Sequence, residues 1–99
     1  MPDLRAAIQA EIGRVLRDEL EVEGPVSLEH ELARDLRVDS MGAIVLAVGL
    51  EDRFRVKLSD EDGAAVVTVR DLVDLVERRS REAAAGGEAL EPGGAEGDR

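Results

Sequence analysis

The 99-residue chain has no cysteine, tryptophan or tyrosine and a single phenylalanine, Phe54. Without cysteine there is no disulfide, no thiolate metal site and no cysteine nucleophile. With one aromatic residue, a core must be assembled from Leu, Val, Ile and Ala, which favours helices packed on helices over an aromatic-rich sandwich. Basic residues are in the minority, 13 against 23 acidic ones, and the net charge is −10. Nucleic acid and anionic lipid surfaces repel such a chain. No stretch approaches the ~20 apolar residues of a membrane span, and the charge-studded N-terminus MPDLRAAIQAEIGRVL does not read as a signal peptide. These absences lead to the expectation of a cytoplasmic monomer with no nucleic-acid partner and no membrane span. The lone histidine, His30, sits in a polar stretch without a partner base. No nucleophile–base or metal constellation can be built from it, so neither a catalytic nor a metal-ligating residue is expected and the chain does not read as an enzyme.

What is present is helical patterning. Leu4, Ile8, Ile12, Val15 and Leu16 keep to one face of a first helix over 3–17, with Asp3 placed to cap it. Residues 18–38 hold the breaker Gly24-Pro25 yet space Leu20, Val22, Val26, Leu28, Leu32, Leu36 and Val38 regularly, which predicts a long ordered loop with a helical turn near 29–33. Residues 40–54, SMGAIVLAVGLEDRF, predict a second helix, apolar around nearly its whole circumference until Glu51. Such a helix either is flanked on several sides or offers apolar surface to a ligand or partner. Ser59-Asp60-Glu61-Asp62 matches a capping box and predicts a short third helix. Thr68-Val69-Arg70-Asp71 repeats the pattern ahead of Val69, Leu72, Val73 and Val76, a final amphipathic helix to about Arg81, with Arg78, Arg79 and Arg81 at its negative end. Residues 82–99, rich in Gly, Ala and Glu, bury too little to offset their ordering entropy and are expected to be a disordered tail beside a domain over 1–81. Asp60-Glu61-Asp62-Gly63 is no calcium loop: with Gly63 at the sixth position, Leu58 and Val69 would occupy the first and twelfth, and neither ligates.

Asp35-Leu36-Arg37-Val38-Asp39-Ser40-Met41, at the mouth of the second helix, resembles the Asp-Leu-Gly-x-Asp-Ser-Leu signature of acyl carrier proteins. The resemblance covers roughly residues 3–81, since Glu31-Leu32-x-x-Asp35-Leu36, Leu50-Glu51-x-x-Phe54 and Thr68-Val69-Arg70-Asp71-Leu72 follow in the family's order. It implies an all-α, small four-helix bundle, three helices long and one short, with a long loop after the first. It also implies a 4'-phosphopantetheine arm esterified to Ser40, flanked by Asp39, Met41 and Arg37, that holds biosynthetic intermediates as thioesters. Implied partners are a phosphopantetheinyl transferase and acyl-transferring and ketosynthase-type enzymes, docking on Met41, Val45, Val48, Glu51 and Asp52 of the second helix. Ile44, Val45, Leu50, Leu58 and Val66 are the implied lining of an acyl cleft.

The sequence departs from the family where Arg37 replaces Gly, Met41 replaces Leu, Gly42 stands at a commonly acidic position and Val45 at another. Dilution of the acidic stripe points to a dedicated carrier in a specialised polyketide, lipopeptide or modified-fatty-acid pathway. Two alternatives remain open: a peptidyl or aminoacyl carrier, which typically shows Gly-Gly before the His/Asp-Ser-Leu of its site, and an unmodified helical adaptor in which Ser40 only caps a helix.

Overall fold

The computed structural model describes residues 3–89. Four helices follow one another: α1 (Leu4–Asp18), α2 (Ser40–Phe54), α3 (Asp60–Ala65) and α4 (Val69–Ala89), with no strand among the described residues. The α1 stripe is buried as its spacing predicts: Ile8, Ile12, Val15 and Leu16 are all at or below 1% exposure. It packs on both α2 and α4, meeting Leu46 and Leu50 of α2 and Val69, Leu72, Val73, Leu75 and Val76 of α4 in one core. Asp3 stands at the N-cap position of α1 but its side chain makes no capping bond, contrary to expectation.

The long loop is ordered by both its side chains and its backbone. Leu20, Val22, Val26, Leu28 and Leu32 pack against the core, while Leu36 and Val38 are part of it. The Leu32 N–H donates to the Val67 carbonyl (2.9 Å), Val69 N–H to His30 O (3.0 Å) and Arg70 N–H to Leu28 O (2.9 Å), so the loop is tied to the entry of α4. The predicted helical turn lies slightly later than expected, over 32–35. His30 has a local structural job: its Nδ1 accepts the Ser27 N–H at 3.0 Å.

One backbone pattern occurs twice. After α1, the N–H groups of Glu19 and Leu20 both donate to Val15 O, Val22 N–H donates to Leu16 O, and Glu21 takes φ 58°. In the loop, the N–H groups of Asp35 and Leu36 both donate to Glu31 O, Val38 N–H donates to Leu32 O, and Arg37 takes φ 59°. The residues align as well, Leu16, Glu19, Leu20, Glu21 and Val22 with Leu32, Asp35, Leu36, Arg37 and Val38. The two turns face each other across a hollow of about 620 Å³.

Both capping boxes form. Ser59 Oγ accepts the Asp62 N–H and Asp62 Oδ2 accepts the Ser59 N–H, each at 3.0 Å. Thr68 Oγ1 and the Asp71 carboxylate do the same at 3.1 Å. The final helix corrects the expected end near Arg81, since it continues to Ala89. Residues 82–89 of the expected tail are therefore helical, and 90–99 lie outside the described residues. Arg78, Arg79 and Arg81 consequently sit within α4 and not at its negative end. Arg79 pairs with Asp62 and Glu82, and Arg81 with Glu77.

Candidate functional site

The opening of α2 is built by Asp39. Its backbone is extended, and Oδ1 accepts the Gly42 N–H at 2.8 Å while its carbonyl accepts the Ala43 N–H at 2.8 Å. That leaves the N–H groups of Ser40 and Met41 without an acceptor among the described residues. Ser40 is the first residue of the helix and is exposed. An exposed hydroxyl beside two free amide donors, at the positive end of a fifteen-residue helix dipole, is suited to a phosphoester.

Gly42 holds this opening close to the core. A Cβ there would lie 3.3 Å from Asp39 Oδ1, 3.3 Å from Val38 Cγ1 and 3.4 Å from Leu20 Cδ1. An acidic side chain, common in the family at this position, would crowd the cap itself. The glycine that weakens the helix by propensity sits in a tight place, where a Cβ would make its neighbours give by a few tenths of an ångström.

A groove of about 640 Å³ starts at Ser40 and runs between α2, α3 and α4. Ala43, Ile44, Leu46 and Ala47 form its α2 wall, Leu72 and Leu75 its α4 side, and Leu58, Gly63, Ala64 and Val66 the opposite wall. Three of the cleft residues expected from the family, Ile44, Leu58 and Val66, line it. Val45 and Leu50 do not: Leu50 is fully buried in the core and Val45 packs against that core. Ala43 and Ala47 were missed, although they follow Ser40 at i+3 and i+7 and so must share its face.

The residues grouped as a docking surface divide. Met41 and Val48 are exposed at 69% and 55%, and Ile44, not in that group, joins them at 59%. Val45 turns partly inward. Glu51 is half-buried, its Oε2 accepting the Leu58 N–H at 2.8 Å, so it closes the α2–α3 connection; Asp52 is exposed. Arg37 is exposed and has no carboxylate within ion-pair distance among the described residues. It lines the hollow between the two turns with Glu19, Glu21 and Glu23, whereas Ser40 lines the groove, so the two do not share a cavity. Among the described residues no group of three His, Asp or Glu is placed to hold a metal ion.

These features define a helical domain that presents the Ser40 hydroxyl, at the start of a long helix, beside an apolar groove. The family described as phosphopantetheine attachment site matches the chain over residues 6–76. An acyl carrier protein of Coprothermobacter proteolyticus is 35% identical over 74 residues, covering 74% of this chain and 90% of the relative. One from Rhodococcus erythropolis is 32% identical over 85 residues, covering 85% and 93%. The crystal structure of an acyl carrier protein from Thermotoga maritima superposes with a TM-score of 0.72 at 25% identity, over 80% of this chain and 93% of that one. The chain belongs to the acyl carrier protein family, whose members carry 4'-phosphopantetheine covalently on a serine and work as carriers rather than enzymes.

Proposed function

We propose that Ser40 Oγ is the attachment point and that the protein presents intermediates of a specialised polyketide, lipopeptide or modified-fatty-acid pathway to successive enzymes. One observation carries the first part: Ser40 is exposed at the start of α2 with two unclaimed amide donors beside it and an apolar groove opening from it. The amides of Ser40 and Met41 would hold the phosphate, with Asp39 fixing the helix mouth that presents them. When bound, the arm supplies a thiol on which an acyl group travels as a thioester, which a chain without cysteine cannot supply itself. The groove offers an apolar cargo a place out of water. Small side chains at Ala43, Ala47, Gly63 and Ala64 give it width.

Support for a specialised pathway comes from α2, whose first turn has no acid and whose exposed face is Met41, Ile44 and Val48. Partners that read this face rely on apolar contact more than on charge. The phosphopantetheinyl transferase, acyltransferases and ketosynthase-type enzymes are the proposed partners and the cytoplasm the proposed site of action. No helix among the described residues is long and apolar enough to cross a membrane.

The test is intact mass after incubation with coenzyme A and a broad-specificity phosphopantetheinyl transferase. The wild-type chain gains one phosphopantetheine group and Ser40→Ala gains none. An equal gain in the variant moves the attachment elsewhere, and no gain in either favours an unmodified adaptor.

A further inference from the structure

The α3 wall of the groove is held differently from the other two. Both α2 and α4 anchor their walls with core residues, Leu46 on one and Leu72 and Leu75 on the other, whereas α3 has no buried residue. Its inner face, Asp60, Gly63 and Ala64, lines the groove, yet at its middle nothing packs against it: a Cβ on Gly63 would meet nothing within 4 Å. The flanking Leu58 and Val66 pack against the core and hang the helix by its two ends.

Between those ends, one side-chain pair ties α3 to another helix among the described residues. Asp62 stands two residues from both Asp60 and Ala64, on the side of α3 away from the groove. Its carboxylate takes the Arg79 guanidinium on Oδ1 at 2.7 Å and on Oδ2 at 3.3 Å, a part-buried contact to α4. Oδ2 also accepts the Ser59 N–H at 3.0 Å, so one group fixes the first turn of α3 and its distance from α4. Glu82 accepts from Arg79 at 2.7 Å and holds the guanidinium in place. Charge-assisted bonds of this forked kind fix geometry as well as energy.

We propose that Arg79 is a positioning residue for the cargo: through Asp62 it latches α3 as the wall that closes the groove over an apolar acyl chain. The reading rests on the carrier function proposed above and adds which side chain, itself outside the groove, sets how well the groove shields what it holds. A helix with no buried residue of its own opens locally at small cost, and the latch raises that cost without narrowing the groove.

The unmodified chain tests the latch and the loaded chain tests its use. In amide exchange followed by NMR, Arg79→Gln is expected to speed exchange of the Gly63 N–H, which donates to Ser59 O, about fivefold, with α1 and α2 amides unchanged. Octanoyl and acetyl forms are then made from the matching coenzyme A thioesters by the transferase, verified by intact mass and treated with hydroxylamine. Its nitrogen bonds to the thioester carbonyl carbon as the C–S bond breaks, and a proton passes to the sulfur. In the wild type the octanoyl form reacts more slowly than the acetyl form, which has no chain to bury. Arg79→Gln is expected to speed the octanoyl form about threefold and leave the acetyl form unchanged, and Arg79→Lys to recover part of the protection. Arg81→Gln removes the same charge and an exposed pair of the same helix and is the control, with less than about a twofold effect. Exchange that is unchanged at Gly63 or rises alike in every helix overturns the latch, as does an equal gain for both cargoes or in Arg81→Gln. A wild type that takes up both arms but shields octanoyl no better than acetyl removes the groove as a cargo site, and the latch with it. A chain that gains neither arm overturns the carrier reading itself and, with it, the role given to Arg79.

Discussion

At the scale of single residues, the segment Arg37–Gly42 sets where the serine points. Arg37 occupies a left-handed conformation at φ 59°, which costs an L-residue roughly 1–2 kcal/mol that glycine avoids. Glycine in turn loses more freedom on folding, so Arg37→Gly is expected to stabilise the protein by about 0.5–1 kcal/mol in urea denaturation. The family's preference for Gly at this position, noted from the sequence, thereby acquires a physical reason. Asp39 acts in the opposite sense. Removing its cap to Gly42 by Asp39→Ala is expected to cost about 1 kcal/mol and to slow modification of Ser40 in the mass assay, while Asp39→Asn retains most of both. The Asp39-Ser40 pair was legible in the sequence as a cap and a hydroxyl. The tight environment of Gly42 was not, because Leu20 reaches it from a distant part of the chain.

At the scale of elements, α3 is a six-residue helix with no buried residue, held by its capping box and by Arg79. The Arg79 guanidinium bonds both oxygens of Asp62, at 2.7 and 3.3 Å, and this contact lowers the Asp62 carboxyl from 3.8 to about 2. A depressed acid stabilises the fold fully above its unfolded value and less as pH falls through the folded one. The contribution of Asp62 is thus present above pH 3.8 and fades toward about 2. Asp62→Asn is expected to be less stable than wild type near about pH 5, the two urea midpoints converging by about pH 2. Helix starts were readable because Ser59, Thr68 and Asp39 are polar caps followed by a donor pattern. The end of α4 was not, because apolar periodicity stops at Val76. Beyond it the helix continues on the high propensity of Glu82-Ala83-Ala84 and on the Arg79–Glu82 and Arg81–Glu77 pairs.

At the scale of the whole molecule, the core and the order of helices follow from the α1 and α4 stripes, whose buried residues match their spacing. The α2 faces do not follow from spacing: when nearly every position is apolar, only the placement of α1, α3 and α4 decides that Leu50 is core, Ala47 is groove and Val48 is surface. The same limit explains why the cleft implied by the resemblance includes Val45 and Leu50, and why the implied docking group omits Ile44.

The paired turns at 15–22 and 31–38 make two hairpin-like clasps, and the spacer between them is where length is free to vary. Gly24, at φ 88° with nothing within 4 Å of its would-be side chain, marks its slackest point. Two extra glycines after Glu23 are expected to shift the urea midpoint little, since even doubling a loop costs only ~0.6 kcal/mol, and to leave the mass gain on Ser40 intact. Deleting Arg34 instead shortens the second clasp by one residue, puts Leu36 and Val38 out of step with their carbonyl partners, and is expected to abolish the gain. Length is free to change in the spacer, while the clasps hold the approach to the helix start on which Ser40 sits.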